Sequence, residues 1–449
     1  KRDGLTGSMS DRRHPLLAVP LAVVLTVTVA GCAVTATTSS SASSSTSTST
    51  TVETSTDTSA STLWDSSTVH EISVDYDASD YDAMIQAYLD SGDKEWISAT
   101  VVIDAVTYEN VGLKLKGNST LRSLSTDADA TLSSQNPEDL PWIIRLDKYF
   151  DGQNFDGTTE LVVRGNSTET SLNEAVALGL LEDTGLAAEQ AIAVRFSADG
   201  SEEALRLVIE NPDDEWTERE LGDGLLYKAD ASGGYSYRGD DPASYDDVFD
   251  QEAGEDDLTP LIDFLQWINE SDDATFAAEL DQHLDVDAFA TYLAFQELVD
   301  NFDDIDGPGN NSYLYYDPDT GKMTVVNWDL NLAFGTSNVG GGGGGGQMGG
   351  GGRGGAGADR TDGAAVTTAA RGGGGGGSNI LSERFLANAD LQQLYQDALT
   401  TLQAALFDSG TASELLEAWT TTLTEGASDL VDAATIASDA AAISAKFPS

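Results

Sequence analysis

Apolar and polar residues alternate along much of the chain from Val69 to about Phe196, which is the period of a half-buried β-strand. The alternation predicts strands at 96–103, 111–116, 141–146, 160–164, 191–196 and 204–209. One amphipathic helix interrupts them at 171–181, with Ser171 as the expected N-cap. We therefore expect a strand-rich lobe with one inserted helix.

From Leu258 the spacing of apolar residues becomes mainly helical. It predicts helices at 261–268, 274–280, 286–298, 391–407, 412–424 and 430–445. One hairpin lies among them, from 312–316 to 323–328, across a turn that contains Pro318 and Gly321. The predicted fold class is α+β, with a strand-rich N-lobe (about 69–215) before a helical C-lobe (about 216–449), which is the layout of a kinase.

The amino-terminal region has the order of a secretory signal. Basic residues precede an apolar run over 16–30, which ends in small residues before Cys32, the one cysteine of the chain. That ending resembles a bacterial lipobox, so we expect the region 1–32 to hold a signal peptide, with Cys32 as a lipid anchor. Met9 is the expected true start, with residues 1–8 upstream of it. The alternatives are an ordinary signal peptide or an amino-terminal membrane helix with an incidental cysteine. The expected location is extracytoplasmic and membrane-anchored at the cell surface.

Two segments have low complexity. Residues 33–62 are nearly all Ser, Thr and Ala, which predicts a disordered linker. Residues 339–378 contain long glycine runs, but no Gly-Lys-Ser/Thr follows them, so we expect a disordered insertion rather than a phosphate-binding P-loop. The predicted domain is therefore 63–449 with an insertion at 339–378.

The chain is strongly acidic, with 76 Asp and Glu against 22 Lys and Arg and a formal net charge of −54. Phosphate contacts need a basic surface, so this balance excludes sequence-independent nucleic-acid binding. One cysteine and three histidines exclude disulfide frameworks and structural zinc clusters. Chemistry must rest on Asp, Glu, Asn, Lys and Arg.

The candidate chemistry lies around the predicted hairpin. Asn311 follows Asp306 by five residues, and Asp329 comes after the next strand. Protein kinases place their catalytic base and two magnesium ligands in this order, because magnesium takes oxygen ligands and the attacking hydroxyl needs a carboxylate. The segment does not match an EF-hand calcium loop. With Gly307 at position 6 of that loop, Phe302 and Tyr313 occupy positions 1 and 12, where carboxylate ligands are needed. An Asp-rich solvated turn stays open as an alternative.

Four separated segments at 116–120, 226–228, 306–315 and 328–335 resemble motifs of the spore-coat protein H (CotH) kinase family. Their order and spacing agree over about half of the chain. The resemblance implies an atypical, two-lobed, secreted protein kinase that uses ATP and Mg²⁺ to phosphorylate serine in extracytoplasmic proteins. The expected partner is an unidentified Ser/Thr-rich protein.

The same resemblance implies roles for individual residues. Asp306 would be the catalytic base, and Asn311 and Asp329 would be the magnesium ligands. Asn331 stands where the family commonly has a second aspartate, so it keeps an oxygen ligand and loses a charge. The loop over the phosphates would be formed by Gly117, Asn118 and Ser119, with Arg122 adding positive charge; an ordinary hairpin turn is the alternative.

The cation for the α- and β-phosphates is expected to be Arg145 or, as the second choice, Lys116. Glu174 in the predicted helix is the expected partner of that cation, with a solvated helix face as the alternative. Glu210 is expected to face the nucleotide from the end of a strand. Two other functions remain open, a non-catalytic surface scaffold that keeps the fold and a calcium-dependent adhesin.

Overall fold

The structure is a computed structural model that describes residues 63–448 apart from 119, 231–232, 308–309 and 337–378. The predictions on Cys32 and the signal peptide, the linker 33–62, Ser119 and the insertion 339–378 lie outside the described residues. The described residues belong to one compact unit. The lobe boundary near residue 215 stays a prediction.

Nine strands precede residue 215 within the described residues. Their bounds are β1 (Val69–Tyr76), β2 (Ile97–Ile103), β3 (Val106–Leu115), β4 (Leu124–Ser125), β5 (Leu132–Ser133), β6 (Trp142–Arg145), β7 (Glu160–Val163), β8 (Ala191–Ala198) and β9 (Ala204–Glu210). Seven of them close into a barrel in the order β1-β2-β3-β6-β7-β9-β8. A parallel pairing of β1 with β8 closes it, and the other neighbours in the barrel are antiparallel.

The barrel follows from the period-two pattern of its strands. On β3, Val111, Leu113 and Leu115 are fully buried and belong to the apolar cluster inside the barrel. Successive side chains of a strand point to opposite faces, so Lys114 and Lys116 lie on the outer face. The barrel thereby holds these two lysines outside its core and toward the rest of the domain.

Two helices accompany the barrel. The sequence pattern did not predict α1 (Ala78–Ser91), although Asp77 caps it by accepting a hydrogen bond from the backbone N–H of Ser79 and Gly92 ends it in the left-handed conformation. The predicted helix is α2 (Leu172–Glu182), in which nine of eleven residues are buried. Ser171 occupies the N-cap position, as predicted, although its side chain makes no capping hydrogen bond.

A second, four-stranded antiparallel sheet lies after the barrel. It contains β10 (Leu225–Ala229), β11 (Phe249–Ala253), β12 (Ser312–Asp317) and β13 (Lys322–Asn327) in the order β11-β10-β12-β13. The hairpin β12–β13 confirms the prediction. The sequence pattern did not predict β10 and β11; in β11 only the two end residues are buried and the three middle residues are polar.

The remaining described helices are α3 (Asp214–Glu220), α4 (Thr259–Glu270), α5 (Asp273–Glu279), α6 (Val286–Leu298), α7 (Ile380–Ala387), α8 (Ala389–Leu402), α9 (Thr411–Gly426) and α10 (Ala433–Ser444). All six predicted carboxy-terminal helices are confirmed, and α8 continues into a π-helical turn at Gln403–Asp408. The α+β class is confirmed, whereas the division into two kinase-like lobes stays a prediction. In the part of the chain that the structure describes, no helix has the length and apolar character needed to cross a membrane.

Candidate functional site

The open end of the hairpin β12–β13 brings together two of the predicted site residues. Ser312 pairs with Asn327 in the ladder, so Asn311 and Asp329 flank the same end of the sheet. On the neighbouring strand β10, Lys228 pairs with Tyr313 and reaches that end as well. The order of residues in the sequence therefore becomes a shared position in space.

The loop before β12 is held in place by backbone and side-chain hydrogen bonds. The backbone N–H of Ile305 donates to the hydroxyl oxygen of Tyr292 on α6 at 3.1 Å. Asp306 accepts a hydrogen bond from the backbone N–H of Asn379 on Oδ1 at 2.9 Å. Asn311 donates from Nδ2 to the carbonyl oxygen of Asp303 at 2.9 Å, which leaves its Oδ1 as the atom that can bind a cation. The side chains of Asp306 and Asn311 are thus each fixed by a hydrogen bond to the backbone.

Asp329 is bound by a buried arginine that sequence reasoning missed. Its backbone is in the left-handed conformation (φ 60°), and its carboxylate forms an ion pair with the guanidinium of Arg164. Arg164 also contacts Glu174 on α2, with Nη2–Oε1 at 2.9 Å and Nε–Oε2 at 3.0 Å. One guanidinium therefore joins the first helix after β7 to the end of the hairpin.

Burial and charge act against each other in this cluster. Burial lowers the pKa of Arg164, but Asp329 and Glu174 outweigh it and the net pKa lies above its usual value. Burial raises the pKa of Glu174, against the attraction of Arg164. The predicted pairing of Glu174 with Arg145 is wrong, because Arg145 instead contacts Glu160 (Nη1–Oε1, 3.0 Å) on the outer face of the barrel.

A lysine cluster is the main feature that sequence reasoning did not find. Five of the eight lysines of the chain lie together within the described residues; these are Lys94, Lys114, Lys116, Lys148 and Lys228. Lys114 and Lys148 lie 4.4 and 5.0 Å from the centre of the Trp96 ring. Lys116 and Lys228 lie 5.5 and 5.1 Å from the Trp328 ring. We call these five residues the lysine cluster.

The pKa values within the lysine cluster reflect crowding of like charges. Burial, followed by the charge of Lys228, lowers the pKa of Lys116 to about 7. Burial and the nearby lysines also lower the pKa of Lys94, and burial outweighs neighbouring carboxylates to lower that of Lys114. Such a cluster favours a multiply charged anion, because an anion lowers the repulsion among the ammonium groups.

The predicted phosphate loop lies beside the lysine cluster. Asn118 accepts a hydrogen bond from Lys94 Nζ at 2.9 Å, and Gly117 has φ +100°, a conformation that favours glycine. Arg122 is exposed in a 3₁₀ turn at Thr120–Ser123 and its charge acts on Tyr88 of α1. Asn118 is therefore placed with the lysines.

Two further predicted residues are engaged elsewhere. Glu210 Oε2 accepts hydrogen bonds from the backbone N–H of Gln190 and from Arg219 Nη2, at 2.9 and 2.8 Å. Asn331 uses its backbone oxygen to accept a hydrogen bond from Asn173 on α2 at 2.6 Å. Within the described ranges, no group of three or more His, Cys, Asp or Glu side chains is arranged to hold a metal ion. The predicted metal role of Asn331 and the predicted nucleotide contact of Glu210 stay predictions.

Comparison with known proteins gives one family and one curated relative. The model of the CotH kinase protein family matches residues 113–436, which is more than half of the chain. Inner spore coat protein H of Bacillus subtilis (strain 168) is 26% identical over 195 residues, which cover 42% of this chain and 53% of that protein. The match thus spans about half the length of the curated relative. The family match includes Lys114, Lys116, Arg164 with its two carboxylate partners and the hairpin β12–β13.

Proposed function

Because the chain belongs to the CotH kinase protein family, we propose that it is an atypical protein kinase that uses ATP and Mg²⁺ to phosphorylate Ser or Thr in extracytoplasmic proteins. The observation that carries this proposal is the lysine cluster beside the hairpin end. A chain of net charge −54 concentrates most of its lysines at one place there. That place suits the polyphosphate of a nucleotide.

The residues present fit a nucleotide. Lys116 and Lys228 both lie near the ring of Trp328, the residue that precedes Asp329. These two lysines would bind the phosphates. Arg164 forms an ion pair with Glu174 on α2. It would act as the cation that a kinase pairs with a helix carboxylate. Asn118 adds a polar side chain near Lys94. The arrangement supports a kinase-like pair of lobes, the barrel on one side and the four-stranded sheet with its helices on the other.

The oxygen donors at the hairpin end fit magnesium. Asp329 contributes a carboxylate and Asn311 an amide oxygen, both hard ligands of the kind that Mg²⁺ prefers. Bound magnesium would neutralise charge on the phosphates during transfer. Asp306 would orient the acceptor hydroxyl and accept its proton. These three residues keep the roles expected from the sequence.

The location and partner belong to the same proposal. A relative named as an inner spore coat protein supports an extracytoplasmic or surface location. We propose that Cys32 carries a lipid anchor and that the acceptor is a Ser/Thr-rich protein. The Ser/Thr-rich linker at 33–62 relates to both parts of the proposal. It would separate the domain from the membrane that holds the anchor, and its own hydroxyl groups would be candidate acceptors.

A second function, a non-catalytic surface scaffold, is favoured by one observation. Arg164 is ion-paired with Asp329, so a guanidinium already neutralises the carboxylate that magnesium would need. Asn331 adds no charge to offset this. A scaffold of this kind would bind nucleotide weakly, or bind it without transferring phosphate.

The test uses the full chain with ATP labelled at the γ-phosphate, Mg²⁺ and a synthetic peptide of residues 33–62 as acceptor. Transfer to the peptide is expected, and Asp306→Asn should lower its rate by about 10²–10⁴-fold with ATP binding retained. Asp329→Asn should weaken ATP binding only when Mg²⁺ is present. Asp319→Asn, at the exposed turn of the same hairpin, is the matched control and should change neither.

The outcomes separate the two functions. Absence of Mg²⁺-dependent ATP binding refutes the kinase proposal. The scaffold is supported instead if the unmodified chain and the Asp306→Asn variant both bind ATP and neither transfers phosphate.

A further inference from the structure

The loop before β12 reverses the usual order of burial. Phe302 is 52% exposed, although phenylalanine is among the residue types most often buried, whereas Asp304 two positions later is 1% exposed. Within residues 301–307, Phe302 is the one exposed residue, and the others are buried or partly buried. This reversal costs free energy in the free protein, because phenyl surface stays in water and a carboxylate leaves it. It therefore indicates a surface that another molecule covers.

Phe302 lies close to the proposed catalytic base. A Cβ at Gly307, the residue after Asp306, would lie 2.7 Å from the carbonyl oxygen of Phe302 and 2.4 Å from the Cα of Asp303. Standard bond lengths then place the Cα atoms of Phe302 and Asp306 within about 10 Å of each other. An extended polypeptide covers that distance in about three residues.

The backbone on both sides of Phe302 is fixed. Asn301 precedes it, is 1% exposed and donates from Nδ2 to Gln296 Oε1 at 2.8 Å. Asp303 follows it, and the Asp303 carbonyl oxygen accepts the hydrogen bond from Asn311. The phenyl group is thus presented to a binding partner at little further cost in conformational entropy.

We propose that Phe302 is a specificity-determining residue that contacts the acceptor polypeptide, so that the kinase prefers a Ser or Thr within about three residues of a large apolar side chain. The inference rests on the proposed function, because the acceptor is the polypeptide whose hydroxyl must reach Asp306. An extended chain with its hydroxyl at Asp306 brings residues within about three positions of that hydroxyl into reach of Phe302. Mutual burial of phenyl and aliphatic surface favours such acceptors.

The synthetic peptide of residues 33–62 offers a direct test. Apart from alanine, its apolar residues are Val34 and Val52, which are adjacent to Thr35 and Thr51. Transfer to this peptide should concentrate on hydroxyls within about three residues of the two valines. Mass spectrometry of the phosphorylated peptide locates these hydroxyls. A second peptide with both valines replaced by Ala loses most of the apolar contact and keeps every hydroxyl.

Steady-state transfer from labelled ATP by the full chain measures the contact. For Phe302→Ser, kcat/KM for the valine peptide should fall about 10-fold, while KM for ATP changes by less than about 2-fold. With the alanine peptide, the same substitution should change kcat/KM by less than about 2-fold, because the apolar partner is already gone. Phe302→Leu should restore most of the loss.

Val106→Ser is the matched control for loss of an exposed apolar side chain. Val106 is 47% exposed and begins β3, at the opposite end of that strand from Lys114. The control should leave kcat/KM unchanged for both peptides. A purely structural role of Phe302 would instead lower kcat/KM by the same factor for the valine and the alanine peptide.

The outcomes are distinct from those of the proposed function. Transfer that Phe302→Ser leaves unchanged, or lowers equally for both peptides, refutes the inference and leaves the proposed function standing. If no phosphate is transferred, the proposed function fails, and fluorescence anisotropy of the labelled peptides with the full chain decides the inference. Weaker binding of the valine peptide alone to Phe302→Ser then supports the contact. Absence of peptide binding, or binding that does not depend on Phe302, refutes it.

Discussion

Replacing Arg164 with Leu is expected to lower the free energy of unfolding by about 3–5 kcal/mol, the usual cost of removing one partner from a buried ion pair. Side-chain exposures are 10% for Arg164, 3% for Glu174 and 27% for Asp329. The substitution leaves the Glu174 carboxylate buried without its cation, while Asp329 can still reach water. Most of the loss therefore comes from Glu174.

Urea unfolding followed by tryptophan fluorescence measures this loss, since Trp142 and Trp216 lie in the two apolar cores. Arg164→Leu combined with Glu174→Leu should recover at least about half of it, because the unpaired charge is gone. Lys446→Met removes an exposed pair with Asp300 and should cost less than about 1 kcal/mol.

The pH dependence gives an independent check on the cause. In the Arg164→Leu protein, burial keeps the pKa of Glu174 above its unfolded value, so the carboxylate is destabilising above that pKa. The penalty should shrink as the pH falls from about 7 to about 5, because Glu174 then takes a proton. A loss below about 1 kcal/mol at neutral pH, or one that does not change with pH, would refute the reasoning from burial.

Two further predictions concern the fold. Burial lowers the pKa of His70, but its hydrogen bond to Asp104 (2.6 Å), its hydrogen bond to the backbone of Asp65 and the charges of both carboxylates together outweigh burial, and the net shift is upward. The His70–Asp104 pair therefore stabilises the fold at acidic pH and less as the pH rises through the folded pKa. Asp104→Asn should therefore lower the melting temperature more at about pH 5.5 than at about pH 8.5, and equal losses would contradict this. Gly224→Ala should cost about 1–3 kcal/mol in urea unfolding, since a Cβ there would lie 2.4 Å from the backbone oxygen of Tyr316. Gly234→Ala meets nothing within 4 Å and should be neutral; equal costs at the two glycines would show that the close approach is relieved in solution.

Most regular elements could be predicted because their signals are local. Period-two alternation located β2 and β3, and helical spacing located α6 and α9. The pattern failed for α1, where Asp77 and Gly92 are the signals that could have found it. It also failed for β11, whose middle residues are polar and not fully buried. The pattern could not predict that the barrel closes, because the closing strands β1 and β8 are more than 100 residues apart in the sequence.

The candidate site divides in the same way. The order of Asp306, Asn311 and Asp329 could be recognised, and the hairpin register alone places the last two at one end of the sheet. The choice of Arg164 as the partner of Glu174 could not be predicted, since Arg145 has the same chemistry on a neighbouring strand. Lys228 and Trp328 lay within recognised motifs, but nothing in their spacing showed that they would face Lys116.

The sequence by itself therefore determined the α+β class and the family resemblance, because composition, motifs and local periodicity are properties of the chain. Only the tertiary structure decided which charges meet. Alternation shows the face of a strand on which Lys116 lies, and the packing of other elements against that face sets its neighbours and its pKa. The lysine cluster and the Arg164 pairing arise from contacts between segments that are distant in the sequence. The local spacing of residues does not predict such contacts.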